Sequence, residues 1–346
     1  MRWQNGTINE TVHIKDIMES LNWGIIGPGN IAHDFARDLE LIRPAQKITA
    51  VLGDHPENAA AFCKAFNVKD SFTGLGKFIK NATVDIVYIA TPHPLHYEEA
   101  LACLEHKIHV LCEKPMTINP KQCEKLIKAS EKNGCFLMEA MWIRFLPGIQ
   151  KVLSLIKDGS IGKLVSVKAS IGYKAPKDDN NRYFNPELGG GSLLDLGIYP
   201  VFLAHLLLGT PDVIKAAGRL TEKGVDETCA VLLEYQKGQH ALLDSSIVTQ
   251  TDQPAIITGE KGVIKILNPW FEKTIGVELQ LYGQEKKIFP CEWEGHGLQF
   301  EIEEVLRCIR NNHIESDLFP HAFSLQLNET LEEIRDQINV TYNMYE

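Results

Sequence analysis

The feature that most constrains the fold is a glycine turn directly after an apolar strand. Residues 22–32 have the sequence Asn-Trp-Gly-Ile-Ile-Gly-Pro-Gly-Asn-Ile-Ala, which contains the spacing G-x-G-x-x-A. In this pattern Gly27 lets the chain turn tightly, Gly29 leaves room for a phosphate, and Ala32 lets helix and strand pack closely. The free amides at the start of the helix would face a diphosphate. The segment predicts a dinucleotide site, although glycine pairs after strands also close ordinary turns.

An acidic residue follows the second predicted strand. That strand, Lys47–Leu52, leads into Gly53 and Asp54, where dinucleotide-binding folds place a carboxylate on the adenosine ribose. A carboxylate at Asp54 would repel a 2′-phosphate, so NAD(H) is favoured, with NADP(H) still possible. Alternatively Asp54 is only a turn residue, because Gly-Asp-His-Pro is also favourable turn chemistry.

Length and charge restrict the class of partner. A chain of 346 residues is long enough for two domains with their own cores. The net charge is −10, and the lysines and arginines are scattered along the chain. Nucleic-acid binding needs clustered cations to neutralise phosphates, so we expect a small-molecule partner instead.

Cysteine usage and hydropathy predict a cytoplasmic protein. The eight cysteines form no C-x-x-C pair, and several lie in apolar segments, as free thiols in a reducing compartment do. We expect no apolar run near the roughly 20 residues that cross a bilayer, no signal peptide and no membrane partner. Residues 1–20 are polar and are assigned to an N-terminal extension.

The first half of the chain alternates between strand-like and helix-like apolar periods, which predicts a doubly wound parallel sheet, a Rossmann domain, over residues 21–142. Asn119-Pro120 is a helix start and Gly134 its stop. The other predicted elements are strands at Val84–Ala90, Ile108–Cys112 and Phe136–Glu139 and a helix at Pro94–His106.

The second half, residues 143–346, predicts an α+β domain with a large, mainly antiparallel open sheet. Apolar residues occupy both faces of the strand around Leu232, so both faces need cover. A second subunit on the open face, giving a homodimer, is the preferred explanation. The alternative is burial under two C-terminal helices, Leu298–Asn311 and Ser324–Ile338. The predicted elements are a helix at Phe145–Lys157 and strands at Lys163–Tyr173, Glu227–Tyr235, His240–Val248, Ala255–Thr258 and Gly262–Leu267.

Two polar clusters follow strands of the first domain, at the sheet edge where open parallel sheets bind ligands. One is Thr91-Pro92-His93-Pro94-Leu95-His96 and the other is Glu113-Lys114-Pro115. Lys114 is the best candidate for proton transfer, because a positively charged nicotinamide in a partly dry cleft favours the neutral amine. The alternative is a solvated lysine at a strand end. His93 and His96 have i, i+3 spacing, but no nearby ligand set completes a zinc site, so we expect no metal.

A third cluster is the run Gly189-Gly190-Gly191-Ser192-Leu193-Leu194-Asp195-Leu196-Gly197-Ile198-Tyr199. Asp195 and Tyr199 are one helical turn apart and share a face, so they predict a substrate site behind the glycines. A glycine hinge with a capping aspartate is the alternative. Trp142, Arg144 and Tyr173 could wall the pocket, although isolated aromatics more often belong to the core.

With these clusters in order, the chain resembles the glucose-fructose oxidoreductase/inositol dehydrogenase (Gfo/Idh/MocA) family over about residues 21–342. Three segments, 139–147, 189–199 and 224–228, are most similar to its dimeric dihydrodiol dehydrogenase branch. The resemblance implies a Rossmann domain, a dimer through the open sheet, Lys114 as the proton-handling residue, Tyr199 as its acid partner and Asp195 as an orienting or substrate-contacting residue. That branch has a basic residue suited to NADP where this chain has Asp54.

These inferences predict a cytosolic NAD(P)-dependent oxidoreductase that acts on CH–OH or CH–CH donors of a small polyol, sugar or cyclic trans-diol. A non-catalytic sensor of cofactor or sugar on the same fold is the alternative. The predicted catalytic residues are Lys114, Tyr199 and Asp195. The predicted cofactor contacts are Gly27, Gly29, Asn30, Ile31, Ala32, Asp54, His55, Thr91, Pro92, His93, His96, Glu113, Lys114 and Arg144. The predicted substrate contacts are Trp142, Tyr173, Asp195, Tyr199 and Trp270, with specificity also assigned to residues 182–184, Phe271 and residues 291–300.

Overall fold

The computed structural model describes residues 20–178, 181–342 and 345. The predicted extension, residues 1–20, therefore lies outside the described residues except for Ser20. Two sheets organise the chain: a parallel sheet of six strands and a mixed sheet of eight.

The first sheet is doubly wound. Its strands are β1 (Asn22–Ile26), β2 (Lys47–Leu52), β3 (Asp70–Phe72), β4 (Ile86–Ile89), β5 (His109–Glu113) and β6 (Leu137–Ala140). Its helices are α1 (Asn30–Leu39), α2 (Pro56–Phe66), α3 (Leu75–Asn81), α4 (His96–Glu105) and α5 (Pro120–Asn133). The strand order is β3-β2-β1-β4-β5-β6, and every neighbouring pair is parallel. The predicted Rossmann topology is confirmed, and the order reverses between β1 and β4, where such sheets open a ligand crevice.

Local sequence explains how these elements begin, end and pack. The Asn119 side chain accepts the Gln122 amide at 3.0 Å, and α5 ends at Gly134 with φ of +64°, as the capping pattern predicts. Ile25 and Tyr88 of the central strands are fully buried, because helices cover both faces of a parallel sheet. Ala32 is also fully buried, so α1 packs close to β1.

The second sheet has the order β14-β13-β12-β11-β7-β10-β9-β8. Its strands are β7 (Leu164–Gly172), β8 (Val213–Leu220), β9 (Asp226–Glu234), β10 (His240–Ser246), β11 (Ala255–Gly259), β12 (Gly262–Ile266), β13 (Gly276–Leu281) and β14 (Lys287–Pro290). Its helices are α6 (Pro147–Lys157), α7 (Ile198–Leu208), α8 (Gln299–Arg310) and α9 (His321–Ile338). Strands β7 and β10 pair in parallel, and the other neighbours pair antiparallel. The expected mainly antiparallel sheet is confirmed.

The two faces of this sheet differ in cover. Val231 and Leu243 are buried on the face that α6, α7 and α9 contact. A Cβ on Gly218 of β8 would lie 3.2 Å from Ile338 of α9, so the C-terminal helix lies tightly on that same face. Leu242, on the opposite face, is 43% exposed. Among the described residues, the C-terminal helices therefore do not provide the cover that the alternative interpretation required.

One expectation about hydropathy needs correction. The stretch Pro186–Leu208 is long and apolar enough to cross a bilayer by length and composition. Of its most apolar window, 78% is buried inside the protein, as in the core helix of a globular domain. Its hydrophobicity is accounted for by packing around α7.

Candidate active site

The turn after β1 has room for a diphosphate. Gly27 has φ of +84°, and a Cβ there would lie 2.7 Å from the Thr91 amide nitrogen, so the position requires glycine. Gly29 is the N-cap of α1, and nothing lies within 4 Å of where its Cβ would be. The helix start has no side-chain cap, and Asn30 and Ile31 are exposed. An uncapped helix N-terminus beside open space fits a phosphate group.

Two acidic side chains lie near the ends of β2 and β4. Asp54 and His55 are exposed between β2 and α2. Thr91 donates its hydroxyl to Glu99 at 2.5 Å. Burial raises the pKa of Glu99 to about 7, and the charge of Asp54 adds to the rise. The edge predicted to meet the adenosine ribose therefore holds one exposed carboxylate, with a partly protonated one nearby, and sequence reasoning missed Glu99.

Lys114 and Asp195 meet between the two sheets. The Lys114 ammonium donates to the Asp195 carbonyl oxygen at 2.6 Å and lies 3.5 Å from its carboxylate. Arg182 binds both carboxylate oxygens, at 3.0 and 3.2 Å, and His93 Nε2 lies 3.7 Å away. Lys114 and Asp195 are 8% and 6% exposed. The two side chains that the sequence placed in separate domains thus form one buried ion pair.

The charges of this cluster settle its protonation. Burial alone would raise the pKa of Asp195, but Lys114, Arg182 and His93 together hold it well below its usual range. Burial lowers the pKa of His93 well below its usual value, against the opposing effect of Asp195. Asp195 is therefore an anion at neutral pH and His93 is neutral. The anionic neighbour of Lys114 was not expected from the sequence.

Tyr199 completes the cluster. The Lys114 ammonium lies 4.9 Å from the centre of the Tyr199 ring. The Trp142 indole donates to the Tyr199 hydroxyl at 3.2 Å, and Phe271 packs against the ring at 5.8 Å. Burial raises the pKa of Tyr199 well above its usual value, so the phenol keeps its proton. A protonated phenol beside a lysine can donate a hydrogen bond to a substrate oxygen.

His96 connects the two loops that follow β4 and β5. Its Nδ1 lies 2.9 Å from the Pro115 carbonyl oxygen and its Nε2 lies 2.8 Å from the Thr91 carbonyl oxygen, and the side chain is fully buried. His93 uses its Nδ1 on the Gly189 carbonyl at 3.2 Å. Because both nitrogens of His96 are engaged, the ring holds the Lys114 loop in place rather than contacting a ligand.

Glu113 accepts a hydrogen bond from the backbone amide of Lys114. Tyr88 donates its hydroxyl to Glu113 at 2.5 Å, and the Lys114 amide donates to the other carboxylate oxygen at 3.2 Å. Burial raises the pKa of Glu113, and Lys114 opposes the rise. Both oxygens of this half-buried carboxylate already have protein partners, which argues against the predicted cofactor contact.

Three further predictions are corrected or limited by position. Trp270 is 1% exposed and donates its indole N–H to the Ser170 carbonyl at 2.8 Å, so it is a core residue and not a substrate contact. Its neighbour Phe271 packs against Tyr199. Arg144 is buried and its Nε donates to the Leu318 carbonyl at 2.8 Å, while its Nη1 has no hydrogen-bond partner among the described residues; its cofactor contact stays a prediction. Tyr173 is 42% exposed beside Tyr183, on the rim rather than the wall.

Family models match both parts of the chain. Residues 21–141 match the model described as oxidoreductase family, NAD-binding Rossmann fold (GFO/IDH/MocA), and residues 149–265 match the GFO/IDH/MocA C-terminal domain. The chain belongs to the GFO/IDH/MocA oxidoreductase family. It is accordingly an NAD(P)-dependent oxidoreductase, and the resemblance inferred from its motifs is confirmed.

Relatives of this GFO/IDH/MocA protein align over nearly its whole length. Trans-1,2-dihydrobenzene-1,2-diol dehydrogenase of Mus musculus is 34% identical over 333 residues, which are 93% of this chain and 98% of the relative. The solved aldose-aldose oxidoreductase of Caulobacter crescentus, complexed with glycerol, is 24% identical with a TM-score of 0.84, covering 93% of this chain and 98% of that one. A 3-ketoreductase of Actinomadura kijaniata, in complex with NADP and TDP-benzene, is 23% identical with a TM-score of 0.82, covering 92% and 98%. The two solved structures support the fold.

Proposed function

We propose that this enzyme transfers a hydride between a nicotinamide dinucleotide and a secondary alcohol or carbonyl of a small polyol, sugar or cyclic trans-diol. The observation that carries the proposal is the cluster of Lys114, Asp195 and Tyr199, drawn from two parts of the chain. The curated relative named above acts on a cyclic trans-diol by its name, which favours a substrate with neighbouring hydroxyl groups.

The cofactor fits the turn at the carboxyl ends of β1 and β4. Gly29 leaves the space that a phosphate needs, and the uncapped amides of α1 supply donors. Asp54 would accept the ribose hydroxyls, with Thr91 and Pro92 at the neighbouring strand end. When bound, the nicotinamide supplies the hydride acceptor or donor.

Lys114 and Tyr199 divide the proton chemistry. As an alcohol is oxidised, its hydroxyl proton passes to the Lys114 amine, and in the reducing direction the Lys114 ammonium returns a proton to the carbonyl oxygen. Tyr199 keeps its proton and donates a hydrogen bond to the same oxygen. Asp195 orients Lys114 through its carbonyl and its carboxylate.

A substrate panel tests this proposal. Polyols, sugars and cyclic diols are incubated with the enzyme and either NAD or NADP, and absorbance at the nicotinamide wavelength is followed. A steady change with a secondary alcohol is expected. No change with any member, while the protein binds nucleotide, would favour the sensor and overturn the proposed reaction.

We propose NAD as the preferred cofactor because Asp54 is an exposed carboxylate at the end of β2. Asp54→Ser should lower the preference for NAD over NADP by at least about tenfold, equal to about 1.4 kcal/mol. The measurement is kcat/KM with each cofactor. Glu57→Ser removes a similarly exposed carboxylate in the first turn of α2 and should leave the ratio unchanged. Tighter binding of NADP than NAD by the unaltered enzyme would contradict the ribose argument.

We also propose a homodimer through the open face of the eight-stranded sheet. A row of paired residues crosses this face: Lys215, Leu232, Leu242, Lys168, Ile256, Lys265 and Glu278. Leu232 and Leu242 are adjacent in this row, with Lys215 on one side and Lys168 on the other, so the face carries an apolar pair flanked by cations. Leu242 is 43% exposed without a partner.

Leu242→Asp should convert the dimer to a monomer in sedimentation equilibrium, because a carboxylate that must lose its hydration replaces the apolar contact of Leu242. The neighbouring Lys168 on β7 offsets this cost only in part. Leu318→Asp is the matched control, since Leu318 is 41% exposed but lies between α8 and α9. A monomeric unaltered protein, or a dimer that survives Leu242→Asp, would contradict this interface.

We place the enzyme in the cytosol, as the cysteine pattern predicts. All eight cysteines are free thiols and seven are buried. Burial raises the pKa of Cys112 well above its usual value, which keeps the thiol protonated. Fractionation of cells with an antibody to the protein would test this placement.

A further inference from the structure

The catalytic aspartate lies on an unusual turn. Residues Leu193–Gly197 form a π-helical turn that continues into α7, with the Ile198 amide bonded to the Leu193 carbonyl five residues back. The sequence predicted an ordinary first turn of α-helix here. Asp195 lies in the middle of the π turn, and its carbonyl holds the Lys114 ammonium. The path of this turn therefore sets the positions of both Asp195 and Lys114.

Asp226 of β9 hydrogen-bonds the residues at the start of the π turn. One carboxylate oxygen of Asp226 accepts the Ser192 hydroxyl at 2.7 Å and the Leu193 amide at 2.7 Å. The Ser192 hydroxyl also lies 3.0 Å from the Ser245 hydroxyl of β10. Asp226, Ser192 and Ser245 are 1%, 0% and 2% exposed. Strands β9 and β10 thus hold the first residues of the turn through a buried polar network.

The glycines on either side show how closely the turn lies on these strands. Gly191 has φ of +121°, and a Cβ there would lie 2.3 Å from the free Asp226 oxygen. A Cβ on Gly197 would lie 2.8 Å from the Ser245 hydroxyl oxygen. The positive φ of Gly191 requires glycine there, and the short distance at Gly197 shows how closely the other end of the turn lies on Ser245.

A buried carboxylate that holds a turn lowers the stability of the fold unless it is fully paired. The second Asp226 oxygen has no hydrogen-bond partner in the described part of the chain, and the side chain forms no ion pair with a described residue. Burial raises the pKa of Asp226 to about 6, while the Ser192 hydroxyl and the backbone amides of Leu193, Asp226 and Ser192 lower it. An ionised, half-satisfied carboxylate reduces stability. What the arrangement provides is two short, charge-assisted bonds that fix the turn.

We propose that Asp226 is a positioning residue for hydride transfer: by holding Ser192 and the Leu193 amide it fixes the π turn, and through the Asp195 carbonyl it fixes the Lys114 ammonium. This inference depends on the proposed reaction, in which Lys114 exchanges the substrate proton. It adds a residue that touches neither substrate nor cofactor. It also gives a role to the Val225-Asp226-Glu227 segment that the sequence singled out without a function.

Three variants test the proposal. Asp226→Ala removes both bonds, and because a misplacement of about 1 Å can cost about 10²-fold, kcat should fall by about 10- to 100-fold with nucleotide affinity unchanged. Asp226→Asn keeps an acceptor oxygen for Ser192 and Leu193, so kcat should stay within about threefold of the unaltered enzyme. Ser192→Ala removes one of the two bonds to Asp226, together with the contact to Ser245, and should give an intermediate loss. It replaces Asp226→Ala in the test if that variant does not fold.

A readout independent of turnover is the acylation rate of Lys114 in the nucleotide-free protein, measured by mass spectrometry against exposed Lys163. Release of the π turn should raise the relative rate several-fold in Asp226→Ala and Ser192→Ala but not in Asp226→Asn. If the alanine variants keep both kcat and labelling rate, or if Asp226→Asn is as impaired as alanine, the positioning role is overturned. If the unaltered enzyme has no turnover, the proposed reaction fails, and the labelling rates still decide whether Asp226 controls Lys114.

Discussion

Lys114→Met is expected to lower kcat by about 10²- to 10⁴-fold, the usual contribution of a positioned acid or base, while nucleotide affinity is unchanged. The lysine lies 2.6 Å from the Asp195 carbonyl and 4.9 Å from the centre of the Tyr199 ring, so in the proposed reaction one substrate hydroxyl would contact both side chains. Methionine has a similar length but no exchangeable proton. Turnover is measured with the best member of the substrate panel, and affinity by nucleotide fluorescence titration.

The fold should survive this change. Asp195 retains Arg182 at 3.0 and 3.2 Å and His93 at 3.7 Å, so removal of Lys114 does not leave a buried carboxylate unpaired. A loss of kcat can therefore be assigned to proton transfer if the melting temperature remains close to that of the unaltered enzyme.

Lys114→Arg is the matched control. It keeps a cation beside Asp195, but a guanidinium does not release its proton in the neutral pH range. We expect kcat as low as in Lys114→Met. If Lys114→Arg restores turnover, the reaction requires the positive charge of Lys114 but not transfer of its proton. Near-normal turnover in both variants would remove Lys114 from the reaction.

Much of the first sheet follows from the sequence because its signals are local. Strand β2 occupies the predicted residues, Lys47–Leu52, and α5 begins after Asn119 and stops at Gly134. Strands β3, β8, β13 and β14 were missed. β3 has three residues with two exposed, β8 and β14 are largely exposed, and β13 is buried only over its first three residues. None of them presents a sustained buried apolar period, which is the signal that identifies a strand in sequence.

Site residues that lie at the end of a strand could be predicted from the sequence. Those whose position depends on tertiary contacts could not. Lys114 and Asp195 come from motifs that topology brings to one crevice. The bidentate contact of Arg182 with Asp195, and the π turn, depend on packing across the two parts of the chain. Trp270 and Phe271 are adjacent in sequence, yet one is core and the other faces Tyr199. No local pattern distinguishes such neighbours.

Gly29→Ala is expected to weaken nucleotide binding without changing the stability of the free protein. Gly29 has φ of −86° and ψ of −169°, a conformation that alanine adopts, and nothing lies within 4 Å of the added Cβ. The free energy of unfolding should change by no more than about 0.5 kcal/mol. In the complex the methyl group would occupy the space of a phosphate. Such overpacking typically costs about 1–3 kcal/mol, which is about 5- to 150-fold in Kd.

Gly27→Ala, two residues earlier, should behave in the opposite way. Its φ of +84° is costly for alanine, by about 1–3 kcal/mol, and the added Cβ would meet backbone atoms of Ala90 and Thr91 at 2.8 and 2.7 Å. The free protein should therefore lose stability, measured by denaturant unfolding without nucleotide. Comparing the two variants locates the cofactor. Because the methyl group of Gly29→Ala leaves the free protein intact, it can weaken nucleotide binding only if the diphosphate lies against Gly29. Unchanged nucleotide affinity in Gly29→Ala would show that the cofactor binds elsewhere. The assignment of Lys114 and Tyr199 to the reacting atoms would then also be wrong.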